Sequence, residues 1–171
     1  MINKKVIGSM AAVALALLIL FLSFIIYNKA SHRKYVTEKT KRLQALKLKT
    51  ISGTDYTLPT GKQLLIILFN TTCEHCMAEA KALSKTIHSF EDATIVMVST
   101  ESLEEIRNFS RDYDLNNYTN VFFTSIDDTE LYNAFGTVNY PEIFIYSSDG
   151  DLVKQFKGET KPEAILKYIS K

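Results

Sequence analysis

The apolar residues of this chain change period several times, and each change marks an element. Val6 to Tyr27 runs for 22 residues without a charge, long enough to cross a bilayer as a helix. Ala30 to Leu46 is polar and basic, a spacer with partial helical character. Leu48 to Leu58, centred on Ser52-Gly53-Thr54-Asp55, is predicted to form a small hairpin. Pro59-Thr60-Gly61-Lys62 then turns the chain into Leu64–Phe69, a continuous Leu-Leu-Ile-Ile-Leu-Phe run that suits a strand buried on both faces. Beyond it, Cys76, Ala80, Leu83, Ile87 and Phe90 recur at helical spacing, with Glu79, Lys81, Lys85 and Glu91 off that face.

Thr94 to Ser99 reads as a second apolar strand. Glu101 to Tyr113 follows as a helix with Leu103, Ile106, Ser110 and Tyr113 on one face. Val121 to Thr124 is a short strand, and Thr129 to Phe135 a short helix stopped by Gly136. Glu142–Tyr146 and Leu152–Phe156 are strands joined by Ser147-Ser148-Asp149-Gly150-Asp151, a hairpin signal. Thr160-Lys161-Pro162-Glu163 has the spacing of a capping box, opening a last helix with Ile165, Leu166 and Ile169 inward. Parallel strands joined by helical crossovers and followed by an antiparallel edge predict an α/β fold, a central mixed sheet covered on both sides.

Composition adds a division of the chain. Its 171 residues leave room for one globular domain once the apolar segment is set aside. The expected units are a membrane anchor over 1–28, a basic juxtamembrane spacer over 29–45 and a domain over 46–171. The net charge of +1 conceals an asymmetry: residues 1–45 carry eight Lys/Arg against Glu38 alone, and the remainder twelve against eighteen Asp/Glu. An acidic domain does not suit nucleic acid, whose binders need a basic face. The basic stretch instead adjoins the apolar segment, where it can meet anionic headgroups.

The chemistry concentrates in Cys73-Glu74-His75-Cys76, the chain's only two cysteines, placed where the core strand turns into a helix. Unpaired N–H groups and the helix dipole favour a thiolate at the first helical turn, the place of Cys73. Cys76, one turn on, can close a disulfide once Cys73 has reacted with a partner. Two unrelated buried thiols, or half a zinc site, are the bland alternatives. Zinc needs four ligands, and only Cys73, His75 and Cys76 lie close together.

Strand, CxxC, helix and a late proline before a hairpin resemble the thioredoxin-like fold, in particular the membrane-anchored TlpA/ResA-type thiol-disulfide oxidoreductases of bacteria. The resemblance covers about residues 46–171. It rests on the Cys73–Cys76 motif, on Glu79 three residues after the second cysteine, and on Asn139-Tyr140-Pro141 ahead of Glu142-Ile143-Phe144-Ile145-Tyr146. The extra helix over 101–113 fits an insertion typical of that branch. The resemblance implies Cys73 as the attacking thiol, Cys76 as the resolving one, and a cis Pro141 that lets the Tyr140 backbone pair with a substrate chain. Three positions depart from it. Ile67 stands where thioredoxins bury an acid, no tryptophan flanks the motif, and Glu142 replaces the common threonine after the proline.

These readings combine into an enzyme that exchanges dithiol for disulfide with protein partners, as a reductase recharged by a membrane or extracytoplasmic donor. It needs no cofactor beyond a redox-active Cys73–Cys76 disulfide, and no metal. Glu79 is expected to take the proton of Cys76, while Glu74 and His75 tune the redox poise in opposite senses. No small-x-small site follows the apolar run, so it reads as an uncleaved signal-anchor. Lys4 and Lys5 before it, against six Lys/Arg soon after, would by count keep the domain in the cytoplasm. The short lysine-bearing tail and the tethered dithiol argue instead for a single pass of the bacterial cytoplasmic membrane with an extracytoplasmic (periplasmic) domain. The rivals are a copper carrier using Cys73, His75 and Cys76, a peroxiredoxin-like peroxidase, which lacks a proline close before Thr71 and Thr72, and a redox-silent binding module.

Overall fold

The computed structural model describes residues 14–28, Thr40 and residues 45–169. The chain divides into two units, Met1–Thr37 and Glu38–Lys171. In the first, residues 14–28 form helix α1, whose side chains are all exposed. Among the described residues no helix is long and apolar enough to cross a membrane. The N-terminal third of the expected Val6–Tyr27 anchor, and the 29–45 spacer apart from Thr40 and Ala45, lie outside the described residues.

The second unit is built on one seven-stranded sheet. Its strands are β1 (Leu48–Thr50), β2 (Asp55–Tyr56), β3 (Gln63–Leu68), β4 (Ala93–Ser99), β5 (Val121–Ser125), β6 (Glu142–Tyr146) and β7 (Leu152–Lys157). They stand in the order β2-β1-β5-β4-β3-β6-β7. The expected mixed sheet is found: β3, β4 and β5 run parallel, and β1, β6 and β7 join antiparallel to their neighbours. The early hairpin pairs Leu48 with Tyr56.

From Leu64 onward strand β3 is apolar at every position because it buries both faces. Leu65, Ile67 and Phe69 pack on one side with Cys76, Ala80, Leu83 and Phe109. Leu64, Ile66 and Leu68 pack on the other with Leu131, Ala134, Phe135 and Phe144. The two layers come from α2 (Glu74–Thr86) with α3 (Leu103–Asp112) on one face, and from α4 (Asp128–Phe135) on the other. Phe69 ties the first layer together, its ring 4.8 Å from that of Phe109 and edge-on to Phe123 at 5.9 Å. Ile67, at the position where thioredoxins bury an acid, is wholly inside this layer, only 1% exposed.

Helix ends follow local chemistry, with one correction. Helix α3 begins with a complete capping box, Ser102 and Glu105 bonding each other's backbone N–H, a device worth about 1 kcal/mol. Asp127 caps α4 through the N–H groups of Thr129 and Glu130, and Gly136 ends it at φ 76°, a conformation that favours glycine. The capping box expected at Thr160 is absent. Helix α5 (Pro162–Leu166) starts instead at Lys161 without a side-chain cap. The Thr160 N–H, which a capping box would give to the Glu163 side chain, donates instead to Glu79, and the Thr160 hydroxyl is turned toward Gly158 O at 2.9 Å. Pro162 at the first helical turn presets φ and substitutes for the cap.

Candidate active site

Leu68 lies beside Val98 of β4 and Glu142 of β6 in register, so one edge of the sheet gathers the ends of β3 and β4 and the start of β6. The loop leaving β3 is pinned there before it reaches the cysteines. Asn70 Oδ1 accepts from the N–H and hydroxyl of Thr72 at 3.0 and 2.7 Å. Thr71 donates its N–H and hydroxyl to the Glu101 carboxylate at 2.7 and 2.9 Å, and Ser99 Oγ steadies that carboxylate at 3.0 Å. Glu101 was legible in sequence only as the start of a helix. Its real task follows from topology, since the C-terminal ends of neighbouring parallel strands meet where such sheets carry their sites.

Cys73 is the N-cap of α2 and partly exposed; Cys76 is buried one turn in, and both thiols are free. The Cys73 thiol lies 3.8 Å from the Tyr140 carbonyl oxygen, and the Tyr140–Pro141 bond is cis. The motif and the proline loop, 67 residues apart in sequence, thus face each other. Burial pushes the Cys76 thiol up to about 12, with Cys73 and Glu79 adding to the rise and a backbone bond from Asn70 opposing it.

Glu79 departs from the sequence pattern. The helical spacing puts it off the apolar face, yet it is 2% exposed. Burial raises its carboxyl to about 7, opposed by the Thr160 N–H, which donates to Oε2 at 2.6 Å, and assisted by the charge of Glu159. What covers it is the chain leaving β7. Four consecutive residues, from the last of β7 onward, each hold a different group at the site. Lys157 Nζ sits 3.5 Å from the buried Glu142 carboxylate, and Gly158 N–H donates to Pro141 O at 2.8 Å. Glu159 Oε2 pairs with His75 Nδ1 at 2.9 Å, and Thr160 N–H reaches Glu79. Gly158 adopts φ +81°, which lets the strap turn between the second and third of these contacts. Glu159 carries no sequence signal and Thr160 only that of a helix cap, because a surface acid and a backbone donor are ordinary anywhere.

The remaining site residues are placed as follows. Glu74 is exposed in the first turn of α2. Tyr140 is partly buried, which raises its hydroxyl, and that hydroxyl bonds Thr100. Glu142, the departure after the proline, accepts from Asn139 N–H at 3.3 Å and from Gln155. It thereby fastens the proline loop to β7. A metal carrier would need Cys73, His75 and Cys76 to converge; His75 instead turns to Glu159. Among the described residues no group of three or more His, Cys, Asp or Glu side chains could hold a metal ion.

Known proteins are similar to this chain in sequence and in fold. The chain is 24% identical over 115 residues to the thiol-disulfide oxidoreductase ResA of Bacillus thuringiensis subsp. konkukian, covering 65% of this chain and 64% of that relative. It is 24% identical over 148 residues to the thioredoxin-like protein YneN of Bacillus subtilis, covering 82% and 84%. In fold it matches a secreted Mycobacterium tuberculosis disulfide oxidoreductase homologous to E. coli DsbE, with a TM-score of 0.58, 21% identity, and 72% and 88% of the two chains covered. The fold is thioredoxin-like, and the expected kinship with ResA-type proteins holds. Residues 36–155 match the AhpC/TSA family, a span that takes in both cysteines, Glu79 and the Tyr140–Pro141 loop, and the chain belongs to that family.

Proposed function

We propose that this protein is a thiol-disulfide oxidoreductase that reduces protein disulfides through Cys73 and Cys76. One observation carries the reading: a partly exposed thiol stands at the N-cap position of a helix opposite the proline loop, with a second thiol and a carboxyl buried directly behind it. The Cys73 thiolate attacks one sulfur of a partner disulfide, forming a mixed disulfide and expelling the partner's other sulfur as thiolate. Cys76 gives its proton to the Glu79 carboxylate. The resulting thiolate attacks the Cys73 sulfur, closes the Cys73–Cys76 disulfide and releases the partner's remaining thiolate. Two electrons pass from dithiol to partner, and a membrane or extracytoplasmic dithiol donor returns them. The backbone of Tyr140 beside Pro141 pairs with the partner chain. His75, when protonated, favours the thiolate, and Glu74 opposes it. The purified protein should cycle between dithiol and disulfide under reductant and oxidant, and should reduce a protein disulfide stoichiometrically. Thiols that stay unbridged under oxidant overturn the reading.

The same proposal places the domain outside the cytoplasm on a single membrane anchor. The exposed side chains of α1 support the anchor: Leu22 is 48%, Ile25 44% and Ile26 68% exposed, an apolar surface water does not favour. The charge-free run extends back from there to Val6. A reporter fused to the C-terminus and active only outside the cytoplasm is the expected result. Activity confined to the cytoplasm reverses the placement.

A further inference from the structure

Glu79 is buried, yet it lines a cavity of about 410 Å³ together with His75, Gly158, Glu159, Thr160 and Lys161. That cavity gives the carboxyl its contact with solvent. A proton accepted from Cys76 has to leave by some route before the next turnover, and this cavity offers one beside the carboxyl. Among the residues lining it are the two partners of the 2.9 Å pair, His75 on α2 and Glu159 on the strap, with side chains 72% and 50% exposed. The titratable and charged groups facing Glu79 are Cys76 on its own helix, Cys73 behind that, Glu159 from the strap, and His75 and Lys161 on the cavity wall.

We propose that Glu159 is a positioning residue of the resolving step, held by His75 over the proton outlet of Glu79 so that its charge faces the carboxyl. This rests on the oxidoreductase reading above and deepens it. Geometry makes Glu159 the carboxylate in the strap next to the Thr160 N–H that Glu79 bonds. Its charge disfavours ionised Glu79, in the same sense as burial. His75 fixes where that charge stands. The motif's histidine therefore acts on the second half-reaction as well as on Cys73, through a residue 84 positions away.

The test is the single-turnover release of a fluorescent peptide from a mixed disulfide on Cys73, followed against pH. In Glu159→Gln the midpoint for release should move to lower pH by a few tenths of a unit, about two- to threefold in rate on the acidic limb, because the pair is solvent-screened. The shift should shrink at about 1 M salt. In a His75→Asn background the Glu159→Gln shift should be smaller, since the carboxylate is no longer held. A strap that served packing alone would lower Tm and leave the midpoint in place. Superimposed wild-type and Glu159→Gln profiles, with the wild type active, overturn this inference and leave the oxidoreductase reading standing. A wild type that forms no mixed disulfide overturns both.

Discussion

Replacing Cys76 with serine should turn the protein into a trap: mixed disulfides with partners accumulate, and turnover is lost. Cys73 keeps its partial exposure and its place at the head of α2, so attack on a foreign disulfide proceeds. The resolving nucleophile is gone, and the adduct persists until an outside thiol reaches it. Cys73→Ser should give no adducts, because Cys76 is 1% exposed and cannot meet a folded partner. Burial also pushes its thiol up to about 12, so little thiolate exists near neutrality. Non-reducing electrophoresis of the two variants after exposure to a protein disulfide separates the outcomes. Serine at position 76 buries a hydroxyl among Ala80, Leu83 and Ile67, at a cost of about 1–3 kcal/mol if it finds no partner. Circular dichroism of both variants therefore belongs in the comparison. Equal trapping by the two would reverse the assigned roles.

Element types could be read from the chain because each carries its own period. The unbroken run of β3 marks a strand covered twice, and the fourfold spacing from Cys76 to Ala80 marks a helix over it. The cysteines could be placed for the same reason, at the junction between those two signals. What could not be read is the strap. Contacts from Lys157, Gly158, Glu159 and Thr160 reach between 15 and 84 residues back, and two of the four use backbone N–H groups. Side-chain identity says nothing about where a backbone donor points. The Thr160-x-x-Glu163 spacing misled on the same account, because the local cap lost to a tertiary acceptor, the buried Glu79. Glu79 itself shows how a helical wheel fails at the edge of an apolar stripe: a position outside the stripe is covered when another segment crosses over it.

Glu79→Gln should make the protein more stable at alkaline pH and slower at its chemistry. The carboxyl stands at about 7 in the folded chain, raised from 4.5 chiefly by burial. Below 4.5 it is protonated in folded and unfolded states alike, and its contribution is complete. As pH climbs toward 7 the unfolded chain gives up a proton that the folded chain retains, so stability falls through this window. Above 7 the burial of a charge costs a constant amount, on the order of 3 kcal/mol. Glutamine is neutral throughout, and its oxygen can still accept from the Thr160 N–H. The variant should therefore gain on the wild type between about pH 5 and 8, with the difference closing on the acid side, as urea titrations at several pH values would show. The kinetic effect runs the other way. With no acceptor beside it, Cys76 reaches its thiolate only through bulk base, and its thiol stays far above neutrality because burial, not Glu79, is the largest cause. Resolution near pH 7 should slow by about 10²–10⁴-fold and rise steadily with pH where the wild type levels off. A variant that gained stability yet kept the wild-type pH profile would leave Glu79 a buried acid with no part in the exchange. Slower resolution without the alkaline gain would mean that the carboxyl is ionised at little cost, and that its place against Thr160, rather than its burial, is what matters.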